Sequence, residues 1–158
     1  MTPETMPGQE QERQPGTTSE MTPKPSVGAE WYRGSGKLEG RRALITGGDS
    51  GIGQAVAILF AREGADIGIS YLDEHDDAER TRELVEAEGR TCTLLPGDIG
   101  DPEWSHELVR KFVEGAGGLD ILVNNAAEQH VAEDLGDIDA EQLQRTFDTN
   151  IFAMFHVT

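Results

Sequence analysis

Four uniformly apolar runs, each followed by a helix-like pattern, constrain the fold of this chain more than any other feature. They lie at residues 43–46, 67–71, 91–95 and 121–123. A strand with one solvated face alternates apolar and polar residues, whereas a uniformly apolar run is covered on both faces, as in a parallel sheet between helices. Residues 41–158 therefore predict an α/β domain with a doubly wound parallel sheet, because right-handed crossovers place the helices on both faces.

Local signals mark where the helices begin and end. The second helix is predicted over about 78–88 and ends at Gly89, and Asp101 followed by Pro102 predicts the start of the third. Asp139 with Gln142 three residues later predicts a capping box at the start of the last helix. That helix is expected to run on to the end of the chain with an apolar face of Leu143, Phe147, Ile151 and Met154.

A glycine-rich turn, T-G-G-D-S-G-I-G from Thr46 to Gly53, joins the first strand to the first helix. Gly47 permits a sharp turn, Gly51 lets backbone N–H groups approach a pyrophosphate, and Gly53 lets the helix pack closely on the strand. The start of the helix then offers unpaired donors and a partial positive charge to the anion. The predicted cofactor-binding residues of this turn are Gly47, Asp49, Ser50, Gly51, Ile52 and Gly53.

The spacing T-G-x-x-x-G-I-G resembles that of the classical short-chain dehydrogenase/reductase family, and three later motifs agree in order and position. Gly97-Asp98-Ile99 follows the third strand, Asn124-Asn125-Ala126-Ala127 ends the fourth, and Thr149-Asn150-Ile151 lies in the last helix. Ala127 replaces the usual glycine of the N-N-A-G motif. The Gly-Gly-Asp-Ser variant also resembles a bacterial subgroup of stress-associated oxidoreductases.

The resemblance implies roles for individual residues. Asp98 and Ile99 would contact adenine, Asn125 and Ala126 would line the cofactor site, and Asn150 would be the catalytic asparagine. Each also has a structural interpretation, since Asp98 could cap a turn and Asn150 could bond to a main-chain carbonyl. Together they predict an incomplete Rossmann domain over 37–158 that binds a dinucleotide.

The choice between NAD and NADP is normally read at the end of the second strand, where a carboxylate favours NAD and a cation favours NADP. Tyr71 and Leu72 occupy that position, and Asp73 follows either as a ribose contact or as part of a solvated acidic loop. A 2′-phosphate would be repelled by the acidic residues nearby. The sequence therefore favours NAD and leaves NADP open.

The resemblance further implies hydride transfer between the nicotinamide and a small alcohol or carbonyl substrate, in a homotetrameric full-length enzyme. The Ser and Y-x-x-x-K of that family are absent from the 158 residues, so we expect a chain truncated before them and inactive alone. The alternative is a non-catalytic dinucleotide-binding or interaction module.

Composition excludes other classes. A formal charge of −17 disfavours nucleic-acid and anionic-membrane partners. One cysteine, Cys92, is consistent with a reducing compartment, and no apolar run reaches membrane-spanning length. The four histidines and Cys92 have no metal-ligand spacing. We expect a soluble cytoplasmic protein without a metal site.

The N-terminal segment is rich in proline and polar residues, and residues 1–36 are predicted to form a disordered arm. Within it the aromatic residues Trp31 and Tyr32, together with Leu38 just beyond, could dock on the domain.

Overall fold

The computed structural model describes residues 21–23 and 31–158. Four strands alternate with helices along the chain. The strands are β1 (Arg42–Thr46), β2 (Asp66–Tyr71), β3 (Cys92–Pro96) and β4 (Ile121–Val123). The helices are α1 (Gly51–Arg62), α2 (His75–Ala87), α3 (Pro102–Ala116), α4 (Ala140–Phe147) and α5 (Ala153–His156). Within the described residues, no helix is both long and apolar enough to cross a membrane.

The strands form one parallel sheet in the order β3-β2-β1-β4. β1 lies at its centre, with Leu44 opposite Gly68 of β2 and Leu122 of β4. The chain passes from β3 across to β4 on the far side of β1, so the strand order reverses beside β1. Open α/β sheets bind ligands at such a switch point. The predicted doubly wound parallel sheet is confirmed.

The central strands bury side chains on both faces of the sheet, which explains why the strand sequences are uniformly apolar. Ala43 and Ile45 of β1 pack with α1 and α2 in one core cluster, whereas Leu44 between them packs with α3 and α5 in the other. Successive side chains of a strand point to opposite faces. Gly68 of β2 leaves room for Phe112, whose ring carbon lies 2.5 Å from where a Cβ would stand.

The predicted helix starts are largely found. Asp101 caps α3 by accepting a hydrogen bond from the Glu103 backbone N–H at 2.9 Å. Asp139 caps α4 in the same way, accepting from the Gln142 N–H at 2.8 Å. The predicted capping box is only half formed, however, because the Gln142 side chain donates to the His130 carbonyl at 3.4 Å instead.

The last helix is not the single continuous helix that the apolar spacing predicts. A π-helical turn, Asp148–Phe152, separates α4 from α5. A π turn inserts one extra residue into the helical repeat and commonly marks a functional site. The spacing of Leu143, Phe147, Ile151 and Met154 therefore does not define one straight face, and each of these side chains is 41–52% exposed.

The segment before β1 is attached to the end of α1. The buried Glu63 carboxylate accepts hydrogen bonds from the Tyr32 hydroxyl and from the backbone N–H groups of Ser35 and Lys37, the last two at 2.9 Å. Leu38 packs against the first core cluster, while Trp31 is 77% exposed. The disorder predicted for the rest of the arm concerns residues 1–20 and 24–30, which lie outside the described residues.

Candidate functional site

A cleft of about 310 Å³ lies at the carboxyl ends of the strands, where the glycine turn meets the segments that follow β2, β3 and β4. Parallel strands bring their carboxyl ends to one edge, which explains how residues distant in sequence converge there. The lining residues are Gly47, Asp49, Ser50, Gly51, Ile52, Ser70, Tyr71, Leu72, Glu74, Gly97, Asp98, Ile99, Asn125, Ala126, Ala127, Glu128, Arg145 and Thr149.

The glycines of the turn hold the backbone in conformations that other residues adopt with strain. Gly47 and Gly51 have φ values of +62° and +53°, in the region that favours glycine. A Cβ at Gly53 would overlap the Gly47 carbonyl oxygen and lie 2.7 Å from Nδ2 of Asn125. Apart from the neighbouring backbone, no atom of the described residues lies within 4 Å of where a Cβ of Gly51 would stand, so this glycine borders open space.

The start of α1 is left available for an anion. Ser50 at the N-cap makes no side-chain capping bond, and the first turn contains no acidic residue. In contrast, α3 and α4 have aspartate caps, and α2 carries Asp76 and Asp77 in its first turn. Because unpaired N–H groups and the helix dipole attract negative charge, α1 is the helix among these four whose start suits a phosphate.

Thr46 joins the ends of β1 and β4 below the glycine turn. Its buried hydroxyl accepts hydrogen bonds from the N–H groups of Asn125 at 3.0 Å and Ala126 at 3.1 Å. The Asn125 side chain donates in return to the carbonyls of Thr46 at 3.0 Å and Gly47 at 2.9 Å. These bonds hold Asn125 and Ala126 against the turn and fix one wall of the cleft.

A second set of bonds attaches the other side of the turn to α2. The Asp49 carbonyl accepts from Thr81 Oγ1 at 2.8 Å and from Gln54 Nε2 at 3.2 Å, and Gln54 also donates to Thr81 at 2.8 Å. Gln54 and Thr81 are both buried. A buried, satisfied network of this kind restrains the backbone that it joins.

Two carboxyls lie where β2 ends beside the turn. Asp49 and Glu74 line the cleft and are each 5% exposed. Burial raises the pKa of both carboxyls. Burial also raises the pKa of the neighbouring Tyr71 hydroxyl, which lies 3.1 Å from Nδ1 of His75.

The other end of the cleft carries a charged bridge. Arg145 of α4 donates from Nη1 to Asp98 Oδ2 at 2.5 Å and from Nε to Glu128 Oε2 at 2.8 Å. Burial opposes the ionisation of Glu128, but the hydrogen bonds from Arg145, His130 and Thr149 outweigh it and hold its pKa below the usual range. Asp98 also accepts from the Gly100 N–H at 2.8 Å, which is the turn cap anticipated from the sequence.

Asn150 occupies the π-helical turn and bonds to the segment after β4. Its Oδ1 accepts from the Glu128 N–H and its Nδ2 donates to the Glu128 carbonyl, both at 2.8 Å. This is the main-chain contact that the structural interpretation of Asn150 anticipated. Asn150 does not line the cleft, but it fixes the backbone of a residue that does.

The structure brings together ten of the eleven predicted cofactor-binding residues, and Gly53 packs directly beneath them. Glu74, Glu128 and Arg145 also line the cleft and were not predicted. Glu128 could have been noticed because it follows the N-N-A-A motif directly, whereas nothing in the sequence marks Arg145.

Known proteins resemble the whole described domain. Residues 41–158 match the family model described as short chain dehydrogenase. General stress protein 39 of Bacillus subtilis is 56% identical over 156 residues, covering 99% of this chain and 54% of that protein. The uncharacterized oxidoreductase YhdF of the same organism is 59% identical over 150 residues, covering 95% of this chain and 52% of its own length. The chain thus spans about half the length of these relatives, and the first of them bears out the predicted resemblance to a stress-associated subgroup.

Solved structures agree in fold. A short chain dehydrogenase from Burkholderia cenocepacia in complex with NADP has a TM-score of 0.74 and 37% identity, covering 77% of this chain and 49% of that one. The NADH-dependent reductase A1-R′, responsible for alginate metabolism, has a TM-score of 0.73 and 32% identity, covering 78% of this chain and 50% of that one. A blue fluorescent protein from a metagenomic library, in complex with NADPH, has a TM-score of 0.69 and 33% identity, covering 76% of this chain and 49% of that one. These structures give no support to the expected preference for NAD.

The family model covers residues 41–158 and so spans every described strand and helix. The chain therefore belongs to the short-chain dehydrogenase family.

Proposed function

We propose that this chain forms the cofactor-binding half of an NAD(P)-dependent oxidoreductase, which transfers a hydride between the nicotinamide and an alcohol or carbonyl carbon. The observation that carries the proposal is the convergence of the glycine turn, Asp98 and the Asn125–Ala126 segment on one cleft at the switch point of the sheet. Family membership supports the same function.

The residues present fit a dinucleotide. The open space at Gly51 and the uncapped start of α1 suit a pyrophosphate, because backbone N–H groups would bind its oxygens without a side chain in the way. The buried carboxyls Asp49 and Glu74 would accept from ribose hydroxyls. Asp98 would accept from the adenine amino group, and Asn125 and Ala126 would line the path toward the nicotinamide. When bound, the nicotinamide supplies or accepts the hydride.

Within this proposal Asn150 is a positioning residue of the described half. Its two bonds hold the Glu128 backbone, and the π-helical turn places Thr149 in the cleft lining beside it. We propose that this arrangement supports the catalytic end of the site. The proton donor expected from the family resemblance, a Tyr assisted by a Lys, would come from outside these 158 residues.

The choice of dinucleotide rests on Asp49 and Glu74. Two carboxyls beside the ribose favour a diol over a 2′-phosphate on electrostatic grounds, whereas two of the neighbouring structures hold NADP or NADPH. Calorimetric titration of the wild-type chain with NAD and NADP measures the preference directly. Asp49→Asn should raise the affinity for NADP relative to NAD, because it removes a charge that would face the phosphate.

We propose a homo-oligomer for the full-length enzyme, in keeping with the family resemblance. The described chain exposes an apolar surface on its last helices, and light scattering against concentration tests self-association. The exposed apolar side chains there are Leu143, Phe147, Ile151, Phe152, Met154 and Phe155.

The reaction itself is tested on the gene and on its full product. A coding sequence that continues into a Ser and a Y-x-x-x-K, with oxidation of a panel of small alcohols by the full-length enzyme, is the result expected. Absence of both the motif and turnover would instead favour a non-catalytic nucleotide-binding module.

A further inference from the structure

We propose that Arg145 is a positioning residue that orients Asp98 toward adenine and thereby sets the selectivity of the site for a 6-amino purine. The inference rests on the proposed function, because it assigns the adenine end of a dinucleotide to the cleft beside Asp98.

The Asp98 carboxylate is held at both oxygens. Oδ2 accepts from Arg145 Nη1 at 2.5 Å, and Oδ1 accepts from the Gly100 N–H at 2.8 Å. A carboxylate offers about four acceptor positions, so these two bonds fix its plane and leave further positions for a ligand. The Asp98 side chain is 38% exposed in the cleft wall and is therefore accessible.

Arg145 is itself held by a more deeply buried partner. Its Nε donates to Glu128 Oε2 at 2.8 Å, and its Nη2 forms an ion pair with the same oxygen at 2.7 Å. Thr149 Oγ1 also donates to this oxygen, at 3.2 Å. The Glu128 side chain is only 15% exposed, and its backbone is bonded to Asn150. The guanidinium therefore cannot turn away from Asp98 without also losing its contacts with the Glu128 carboxylate.

The ion pairs of Arg145 with Asp98 and Glu128 join three parts of the fold. Asp98 follows β3, Glu128 follows β4, and Arg145 lies on α4. The planar guanidinium can bind two carboxylates at fixed angles, which the single donor point of a lysine cannot do. Among the described residues that line the cleft, Arg145 is the basic one, so removing it leaves two neighbouring carboxylates without a cation between them.

A ligand pair that differs only at the purine 6-position separates this role from a general structural one. Nicotinamide purine dinucleotide carries a hydrogen atom where NAD carries the amino group, and its N1 remains an acceptor. An oriented Asp98 accepts from the amine of NAD and finds no donor at that position of the analogue, and a hydrogen bond to a charged group of this kind corresponds to about tenfold or more in affinity. A variant that only destabilised the chain would weaken binding of both ligands equally.

The experiment measures the affinity of the 158-residue chain for NAD and for nicotinamide purine dinucleotide by calorimetry, with folding checked by circular dichroism. We expect wild type to prefer NAD by about tenfold, and Arg145→Met and Asp98→Ala each to reduce the ratio of affinities to about one. Arg110→Met is the matched control, because the partners of Arg110 among the described residues are Glu107 and Glu114 on the solvent-facing side of α3. This variant should keep the wild-type ratio.

The possible results are distinct. Wild type that binds neither ligand overturns both this inference and the proposed function. Wild type that binds both equally, or an Arg145→Met chain that keeps the tenfold preference, overturns the inference while the proposed function stands. If Arg145→Met does not fold, Arg145→Lys decides: a ratio between wild type and Asp98→Ala supports the role of the guanidinium, and an unchanged ratio contradicts it.

Discussion

Replacing Thr46 by valine should weaken the joint between β1 and β4 on which one wall of the cleft depends. Thr46 is 2% exposed, and its hydroxyl accepts hydrogen bonds from the N–H groups of Asn125 and Ala126. Valine has nearly the same shape, so the substitution removes the acceptor and changes the packing little. Two backbone donors then lose their partner.

The expected cost follows from those two donors. A buried donor without a partner costs about 1–3 kcal/mol. Asn125 and Ala126 are half-buried, so water can reach them in part and the lower value applies to each. The free energy of unfolding should therefore fall by about 2 kcal/mol, a large share of a typical total of about 5–15 kcal/mol.

Urea unfolding followed by circular dichroism measures this change, and Thr46→Ser is the matched control. Serine keeps the hydroxyl and loses one methyl group, worth about 1 kcal/mol. We expect the valine variant to be less stable than the serine variant and to bind NAD more weakly. A valine variant as stable as wild type would refute the claim that the hydroxyl joins the two strands.

Three further results are expected. Gly53→Ala should lower both stability and dinucleotide affinity, because its Cβ would overlap the Gly47 carbonyl oxygen. Thermal unfolding and calorimetry measure these two quantities. Gly115→Ala is the control, because no described residue outside its own helix backbone comes within 4 Å of its Cβ position. Hydrogen bonds from Tyr32, Lys37 and Ser35 lower the pKa of Glu63 from 4.5 to about 2. The stability that Glu63 contributes is therefore full above about pH 4.5 and is lost as the pH falls toward about 2; Glu63→Gln should flatten this part of an acid-unfolding profile, and an unchanged profile would contradict the contact. Asp49→Asn should raise the NADP-to-NAD affinity ratio in paired titrations, and an unchanged ratio would place Asp49 away from the ribose.

The doubly wound parallel sheet could be predicted because the information is local. Uniform apolar runs such as those around Leu44 and Ile69 identify strands covered on both faces, and the glycine turn identifies which strand is first. The motif residues converge because a parallel sheet brings its strand ends to one edge. No long-range contact had to be known for these steps.

The features that escaped prediction depend on contacts distant in sequence. The π-helical turn coincides with the bonds from Asn150 to the Glu128 backbone, which a helical repeat does not encode. Arg145 reaches Asp98, which lies 47 residues earlier, and Glu63 binds Tyr32, 31 residues earlier. Each of these features depends on side chains that pair across the fold. The spacing of residues along one helix does not indicate which distant residues will pair.

The central claim is that the glycine turn and the start of α1 bind the pyrophosphate of a dinucleotide. Calorimetric titration of the 158-residue chain with NAD and NADP, with Gly53→Val as the paired variant, tests it most directly. We predict saturable binding of at least one dinucleotide by wild type, competed by ADP, and loss of binding in a valine variant that still shows parallel α/β circular dichroism. A folded wild-type chain that binds neither dinucleotide, or a folded valine variant that binds as tightly as wild type, would contradict it.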